Sequence, residues 1–501
     1  MTRPNIVFLH THNTGRRVEP WGYPVATPRL QALAREGVLF RNAFAPAPTC
    51  SPSRSGFLTG VYPHRLGMHG LAHRGFRFTD YAPHLANAMR TAGYTTALAG
   101  VDHTKADPHT IGYDRVLFTK DGTADPTGGS EETVAAVSAF LHESHESPFF
   151  LSVGIWEAHR PYPEPDPAQP FQDPRYTRPP AGIPDTPETR HDAAAYAASV
   201  KLMDDRFGRV LDAIDSAGLR ETTLVFAFAD HGLQFPNHMA TLTDRGLGVF
   251  LVARGPLGFE GGVVDDAMVS LLDLPATALE AAGVTPPMPL DGVSLLQAND
   301  PAAADRAPSQ AAAADAPGGR AYRPGRRYHD ELYAELTFHA AYEPLRSIRT
   351  ARYRYTRRLD GRTRAVLPNF DDSPSKRAYL AAATPDTARN GASGDDPATP
   401  AARGGGDGTP DAPPVDAEAL YDCLRDPDNL VNTIESHPEV ASELRARLAR
   451  WMEATDDSYA RGRAPEVPNE AMVNPTEAVS PEGEVVRARG VTGTSAPEAD
   501  V

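Results

Sequence analysis

NIVFLHTHNTG, residues 5–15, decides the architecture. Its first seven residues, Asn5-Ile6-Val7-Phe8-Leu9-His10-Thr11, form an apolar run of strand length with no inside/outside alternation, as expected of a strand covered on both faces. Four later runs read the same way, at 94–99, 148–154, 222–229 and 248–253. Helical patterns lie between them. Thr27 and Pro28 supply an N-cap and a first-turn proline for a helix through Ala34, while Val200, Met203, Phe207, Leu211 and Ile214 mark one face of a long helix that Gly218 ends. The expected fold class is α/β, a large mostly parallel sheet sandwiched by helices, with a smaller C-terminal α+β domain.

The 501 residues exceed the ~250–300 that one hydrophobic core usually supports. The chain divides on composition into an α/β domain over 1–296, an Ala/Pro-rich linker or insertion over 297–326, and a small α+β domain over 327–460 with a low-complexity insertion at 384–414. Strand-like residues cluster at 328–358, Ser436 and Glu439 read as a capping box, and Val440, Leu444, Leu448 and Met452 mark the helix that follows. No aromatic residue follows Tyr459, so 461–501 reads as a disordered tail. A formal charge of −16 argues against general nucleic-acid binding. No apolar run reaches the ~18 residues of a membrane span, and the expectation is a cytoplasmic protein with no membrane partner. Two cysteines, Cys50 and Cys423, make no disulfide framework.

Chemistry concentrates in four places. Cys50-Ser51-Pro52-Ser53-Arg54 reads as a turn opening a helix, with a thiol where backbone N–H groups favour an anion and a fixed positive charge four residues on. Taken alone, Cys50 is equally readable as a buried structural cysteine. The strand at residue 5 delivers His12 and Asn13, and the strand at 222 delivers Asp230-His231-Gly232, each at the strand C-terminus where α/β sheets present ligands. His103 and His159 also follow strands, and imidazoles there suit proton transfer or simply loop hydrogen bonding.

The string Cys50–Arg54 resembles the C-x-P-S-R signature of type I sulfatases, members of the alkaline-phosphatase-like superfamily. Leu58-Thr59-Gly60 and Tyr62-Pro63-His64 match as well, and the resemblance runs with gaps from Asn5 to about Met452. Ala72-His73-Arg74-Gly75-Phe76, with the segments 337–344 and 346–350, resembles the heparan N-sulfatase (N-sulfoglucosamine sulfohydrolase) branch. The resemblance implies hydrolysis of a sulfate ester or N-sulfate on a small molecule or saccharide. It implies that a maturation enzyme oxidises Cys50 to formylglycine, whose hydrated aldehyde attacks sulfur. Arg54 and a divalent cation would hold that group, His159 would protonate the leaving group, and His103 would help expel sulfate. The implied metal ligands are His12, Asn13, Cys50, Asp230 and His231; the implied substrate contacts are His73, Arg74, Arg160, His238 and His339. A homo-oligomer is a further expectation.

Two departures stand out. The family carries aspartates where this chain has His12 and Asn13; Ca²⁺ is the family expectation, whereas imidazole suits Mn²⁺, Zn²⁺ or another transition metal. The family also carries lysines where this chain has Val101 and Met239, with His238, Arg245, Lys105 and Arg160 as nearby compensating candidates. A phosphonate or phosphate ester hydrolase with the same nucleophile, and a catalytically impaired anion-binding relative, are the alternatives.

Overall fold

The run at residue 5 is strand β1 (Asn5–Thr11), buried at all seven positions. A computed structural model describes residues 3–119, 129–298, 320–383 and 412–492. β1 lies at the centre of a nine-stranded sheet with β2 (Val38–Phe44), β3 (Thr95–Gly100), β4 (Arg115–Phe118), β5 (Phe149–Gly154), β6 (Thr223–Ala229), β7 (Gly248–Val249), β8 (Leu251–Arg254) and β9 (Val263–Ser270). The order is β4-β3-β5-β1-β6-β8-β2-β7, with β9 beside β2. From β4 to β6 every pairing is parallel, as is β2 with β9. The pairings of β8 with β6 and β2, and of β7 with β2, are antiparallel. The apolar run at 248–253 divides at Phe250, whose N–H donates to the Gly15 carbonyl instead of a sheet neighbour. The long helix, Pro187–Ser216, starts earlier than its apolar stripe, at the N-cap Thr186.

Residues 297–298 form a short antiparallel pair, β10 (Gln297–Ala298) with β11 (Arg320–Ala321), so the two ends of the Ala/Pro-rich stretch meet. Tyr322 then anchors the return, its ring stacked on Phe259 and its hydroxyl donating to Asp265. The rest of that stretch, 299–319, and the low-complexity segment 384–411 lie outside the described residues.

The smaller sheet is antiparallel, β12 (Glu331–Phe338), β13 (Tyr342–Thr350), β14 (Tyr353–Arg358) and β15 (Glu418–Asp422) in sequential order. Helix Pro438–Ala454 packs on it through Ala441, Leu444, Leu448, Trp451 and Met452, joined by Tyr62 and Leu272 from the larger body. Pro438 opens this helix, so its N-cap is His437 and the expected Ser436 capping box does not form; Ser436 closes a short 3₁₀ turn instead.

The reading of 461–501 as a disordered tail is corrected for 461–492. That segment forms the pair β16 (Met472–Val473) and β17 (Val486–Arg487), and buries Val467, Ala471, Val473 and Ala488 against Met68, Phe76, Phe78 and Phe338. The tail brings only small apolar side chains because the aromatics of that cluster come from elsewhere. Residues 493–501 lie outside the described residues. Among the described residues, no helix is long and apolar enough to cross a membrane.

Candidate active site

Four adjacent parallel strands end on one edge of the sheet, and each contributes to one cluster. β1 leads into His12 and Asn13, β3 into Val101 and His103, β5 into Trp156 and His159, and β6 into Asp230 and His231. Facing them is helix Cys50–Thr59, buried throughout, whose first residue is the cysteine itself. Thr49 precedes it in extended conformation, and Ser53 Oγ donates to the Asp230 carbonyl at 2.6 Å, fixing the helix against the end of β6.

The cysteine sulfur sits 2.9 Å from His12 Nε2, 3.5 Å from His231 Nε2 and 3.8 Å from Asn13 Oδ1. Asp230 Oδ2 lies 3.9 Å from His12 Nε2 and 3.7 Å from His231 Nε2. Its other oxygen accepts the backbone N–H groups of Asn13 at 2.8 Å and His231 at 2.9 Å. Asn13 adopts the left-handed region (φ 61°), which turns its N–H toward that carboxylate. Burial, then the neighbouring Asp230 carboxylate, pushes the Cys50 thiol up, so as a thiol it stays protonated and is a weak nucleophile at neutral pH.

Arg54 is fully buried and spends its guanidinium on four acceptors: Asp230 Oδ2 at 2.9 Å, His10 Nδ1 at 3.0 Å, and the carbonyls of Thr11 and Val101 at 3.2 and 3.3 Å. Because Arg54 donates to Nδ1, His10 carries its proton on Nε2, and that N–H donates to Ser152 Oγ at 3.1 Å. Burial, reinforced by Arg54, holds His10 well below the usual imidazole range. His10 is therefore a neutral positioning residue for Arg54, legible in the sequence only as a polar residue inside a buried strand.

The cluster opens into a cavity of about 470 Å³. His12, Cys50, His103 and His159 form its floor, with Trp156 within 4.5 Å of the His159 ring centre. His159 donates from Nδ1 to the Arg160 carbonyl at 2.6 Å, leaving Nε2 as its free atom. Burial lowers His12, His103, His159 and His231 below the usual imidazole range. His73, Arg74 and His339 also line the cavity; burial lowers His73 to about 4 and His339 to about 3.

Two expected substrate contacts do not reach this cavity. Arg160 is turned away, paired through both terminal nitrogens with Asp192 at 2.7 Å and laid over the Tyr162 ring. His238 lines a separate, smaller cavity and bonds the Pro236 carbonyl. Arg245 lies with it. Among the compensating candidates only Lys105 lines the catalytic cavity, where Val101 and Met239 present apolar surface. Asp371, which sequence reading missed, also lines it, its carboxylate accepting from Gln234 at 2.9 Å. It follows a short 3₁₀ turn between β14 and β15 of the small sheet, with no local motif to single it out.

The donor set fits a divalent cation. His12, Cys50, Asp230 and His231 each offer a ligand atom, all within 4.8 Å of one another. Their separations of 2.9–3.9 Å suit atoms sharing one ion at bonds of ~2.0–2.3 Å. The amide nitrogen of Asn13 and Nδ1 of His12 are buried with no hydrogen-bond partner among the described residues, which leaves Asn13 Oδ1 and His12 Nε2 as the atoms turned to the cluster.

N-sulphoglucosamine sulphohydrolase of Homo sapiens is 33% identical over 282 residues, 51% of this chain and 56% of that protein. A protein named ulvan-active sulfatase from Formosa agariphila is 27% identical, over 59% of this chain and 54% of its own length. The chain thus spans about half the length of these curated relatives. Among solved structures, one described as in complex with its substrate D-glucosamine-2-N,6-O-disulfate shares the fold, with TM-score 0.62 and 16% identity over 91% of this chain and 99% of that one. The sulfatase family model matches residues 4–284, which contain the strand ends, the helix at Cys50 and the cluster of His12, Cys50, Asp230 and His231, and the chain therefore belongs to the sulfatase family.

Proposed function

We propose that this chain hydrolyses a sulfate ester or N-sulfate on a saccharide or small molecule, with position 50 matured to formylglycine and a divalent cation in the cluster of His12, Asn13, Asp230 and His231. The observation that carries the reading is the position of Cys50. It starts a buried helix, touches two imidazoles, faces a carboxylate held by Arg54, and opens onto a cavity with two further histidines at its floor. When present, formylglycine supplies a hydrated aldehyde as nucleophile and the cation a Lewis acid and template.

The chain's own residues do the rest. Arg54 orients Asp230 and, through its contacts to the carbonyls of Thr11 and Val101, locks the ends of β1 and β3. His159, neutral with its proton on Nδ1, turns Nε2 to the cavity as the atom that would take the proton released by the attacking hydroxyl and hand it to the leaving group. His103, held at positive φ (61°) and lining the cavity, would accept a proton from a hydroxyl group at position 50 once that residue is matured. Trp156, against both His12 and His159, excludes water from that corner. His73, Arg74 and His339 hold the substrate body at the mouth.

Two imidazoles and a single carboxylate, itself shared with Arg54, suit Mn²⁺ or Zn²⁺ better than Ca²⁺, which prefers several carboxylate and carbonyl oxygens. The relatives named for N-sulphoglucosamine and ulvan favour a saccharide.

Mass spectrometry across Cys50 tests the proposal, in protein from its native source or co-produced with a maturation enzyme. Conversion of thiol to aldehyde removes about 18 Da, a change distinct from the ordinary oxidation ladder. A retained thiol in active protein sinks the reading. Turnover of paired aryl sulfate and aryl phosphonate substrates settles the reaction class, since a larger kcat/KM on the phosphonate makes the chain a phosphonate hydrolase.

A further inference from the structure

Behind the catalytic cavity lies a second, smaller one of about 110 Å³. Its lining includes Arg16, Arg17, Arg245 and His238, with the carboxylates of Asp244 and Asp428. Asp244 is already committed. It takes Arg354 Nε at 2.6 Å, Arg349 Nε at 3.2 Å and Arg16 Nη2 at 3.7 Å, and although burial opposes ionisation these guanidiniums hold its carboxyl down to about 2. Arg17 and Arg245 have no carboxylate within 4.0 Å among the described residues. Arg17 donates to the Arg178 carbonyl at 3.0 Å, and Arg245 makes one long contact of 3.4 Å to the Asn429 carbonyl. Arg245 Nε is buried without a partner. Burial lowers both arginines from their ordinary value, a sign that their charge is poorly compensated. Three guanidiniums, of Arg16, Arg17 and Arg245, line this cavity with the carboxylates of Asp244 and Asp428; Asp244 is taken up by Arg16, Arg349 and Arg354, and Asp428 and Asp426 act on Arg245 only from a distance.

We propose that this pocket binds one inorganic tetrahedral oxyanion, sulfate or phosphate, at a site separate from the catalytic cavity. Guanidinium forks match the paired oxygens of such ions, and a cavity of this size admits a small ion and excludes a saccharide. The site has a route to the catalytic cavity. Residues 233–239 form the wall between them: Leu233 and His238 face the arginines, while Gln234 and Met239 face the catalytic side. An anion drawn toward Arg245 therefore bears on the segment that holds Gln234 against Asp371.

The test does not depend on sulfatase activity. Crystals soaked in selenate, a heavier isostere of sulfate, are expected to show anomalous density between Arg17 and Arg245. In solution, sulfate and phosphate are each expected to raise the melting temperature saturably above chloride of matched ionic strength. Arg17→Gln and Arg245→Gln are each expected to weaken that effect roughly tenfold or more, as loss of a charged hydrogen bond does. His159→Ala, altered only in the catalytic cavity, is expected to retain it. Arg17 is partly buried and makes one side-chain hydrogen bond, to the Arg178 carbonyl, so its variant keeps the test available should Arg245→Gln misfold. Tighter sulfate assigns the site to the product of sulfate ester hydrolysis, and tighter phosphate to the ambient ion. Absence of selenate density, or a shift equal to chloride's, or one unchanged in both arginine variants, overturns the proposal.

Discussion

Arg54→Met is the substitution with the largest consequence for the site. The guanidinium has no exposure and four acceptors, and its loss leaves Asp230 Oδ2 buried with its nearest cationic partner gone. The two backbone N–H groups on Oδ1 remain, so the carboxylate keeps half its support. Breaking a buried pair from one side costs ~3–5 kcal/mol. At roughly 2 °C per kcal/mol for a body of this size, the midpoint falls by about 6–10 °C. The measurement is calorimetric melting in chelator, where no cation competes for Asp230, repeated with added Mn²⁺. Part of the loss is expected to return with Mn²⁺, because a dication restores positive charge at the same oxygen. Arg54→Lys, which keeps the charge and loses the fork, falls between the two. Turnover drops by ~10²–10³-fold or more in either variant if Arg54 supports transition-state charge as an oxyanion donor does. A midpoint for Arg54→Met in chelator within 2 °C of the parent would refute the claim that this pair organises the site.

Four further outcomes follow from the same geometry. Protein stripped by chelator and reloaded by dialysis retains Mn²⁺ or Zn²⁺ in preference to Ca²⁺ by elemental analysis, and His12→Asp shifts retention toward Ca²⁺; unchanged retention refutes the donor argument. Burial opposes charge on His64, but Glu335 at 3.0 Å outweighs it and raises the imidazole above its usual range, while Nε2 donates to the Thr455 carbonyl. That contribution is complete below the unfolded value of about 6.5 and is lost as pH rises through the raised folded value, so urea midpoints decline over that window and the decline flattens in His64→Gln. Asp371→Asn raises KM for a sulfated saccharide several-fold while leaving an aryl sulfate nearly unchanged, since only the larger substrate reaches that carboxylate. Truncation after Gly462 lowers the melting midpoint by several degrees and raises KM, because Arg74, at the cavity mouth, donates to Asn474 Oδ1 at 2.8 Å and to the Pro481 carbonyl at 3.2 Å.

The central strands were legible because β1, β5 and β6 are buried on both faces and carry unbroken apolar runs. Toward the other edge the pattern fails: β2 places Arg41 and Asn42 mid-strand and β9 carries Asp265 and Asp266, since neither strand is covered along its full length. The cluster of His12, Cys50, Asp230 and His231 could be assembled because adjacent parallel strands must deliver their C-terminal residues to one edge. Side-chain direction could not. Arg160 lies one residue from His159 yet pairs with Asp192 on the long helix, a partner 32 positions away. The tail was misread for a related reason: Val473 and Ala488 are too small to make a core, and the cavity they fill is built by Phe76 and Phe338.

The apolar residues at 101 and 239 change how negative charge must be met. A cavity with lysines at both positions binds an oxyanion through its own fixed charge. Here the lining imidazoles are neutral by burial, Arg54 is spent on Asp230, and Lys105 donates to the Thr110 carbonyl over the Tyr81 ring. Among the described residues, the other fixed cation lining the cavity is Arg74, at the rim, and it too is engaged, donating to Asn474 Oδ1 and to the carbonyls of Ala340 and Pro481. Oxyanion binding in this cavity would therefore be linked to a cation held by His12, Asp230 and His231 to a greater degree than in a lysine-bearing relative. The linkage is measurable as the ratio of sulfate dissociation constants with and without metal in a Cys50→Ala protein. Installing lysine at Val101 and Met239 is expected to shrink that ratio by tightening sulfate in the metal-free state. If the ratio is already near one in the Cys50→Ala protein, the anion is held by something other than the metal cluster, and the charge argument fails at its first step.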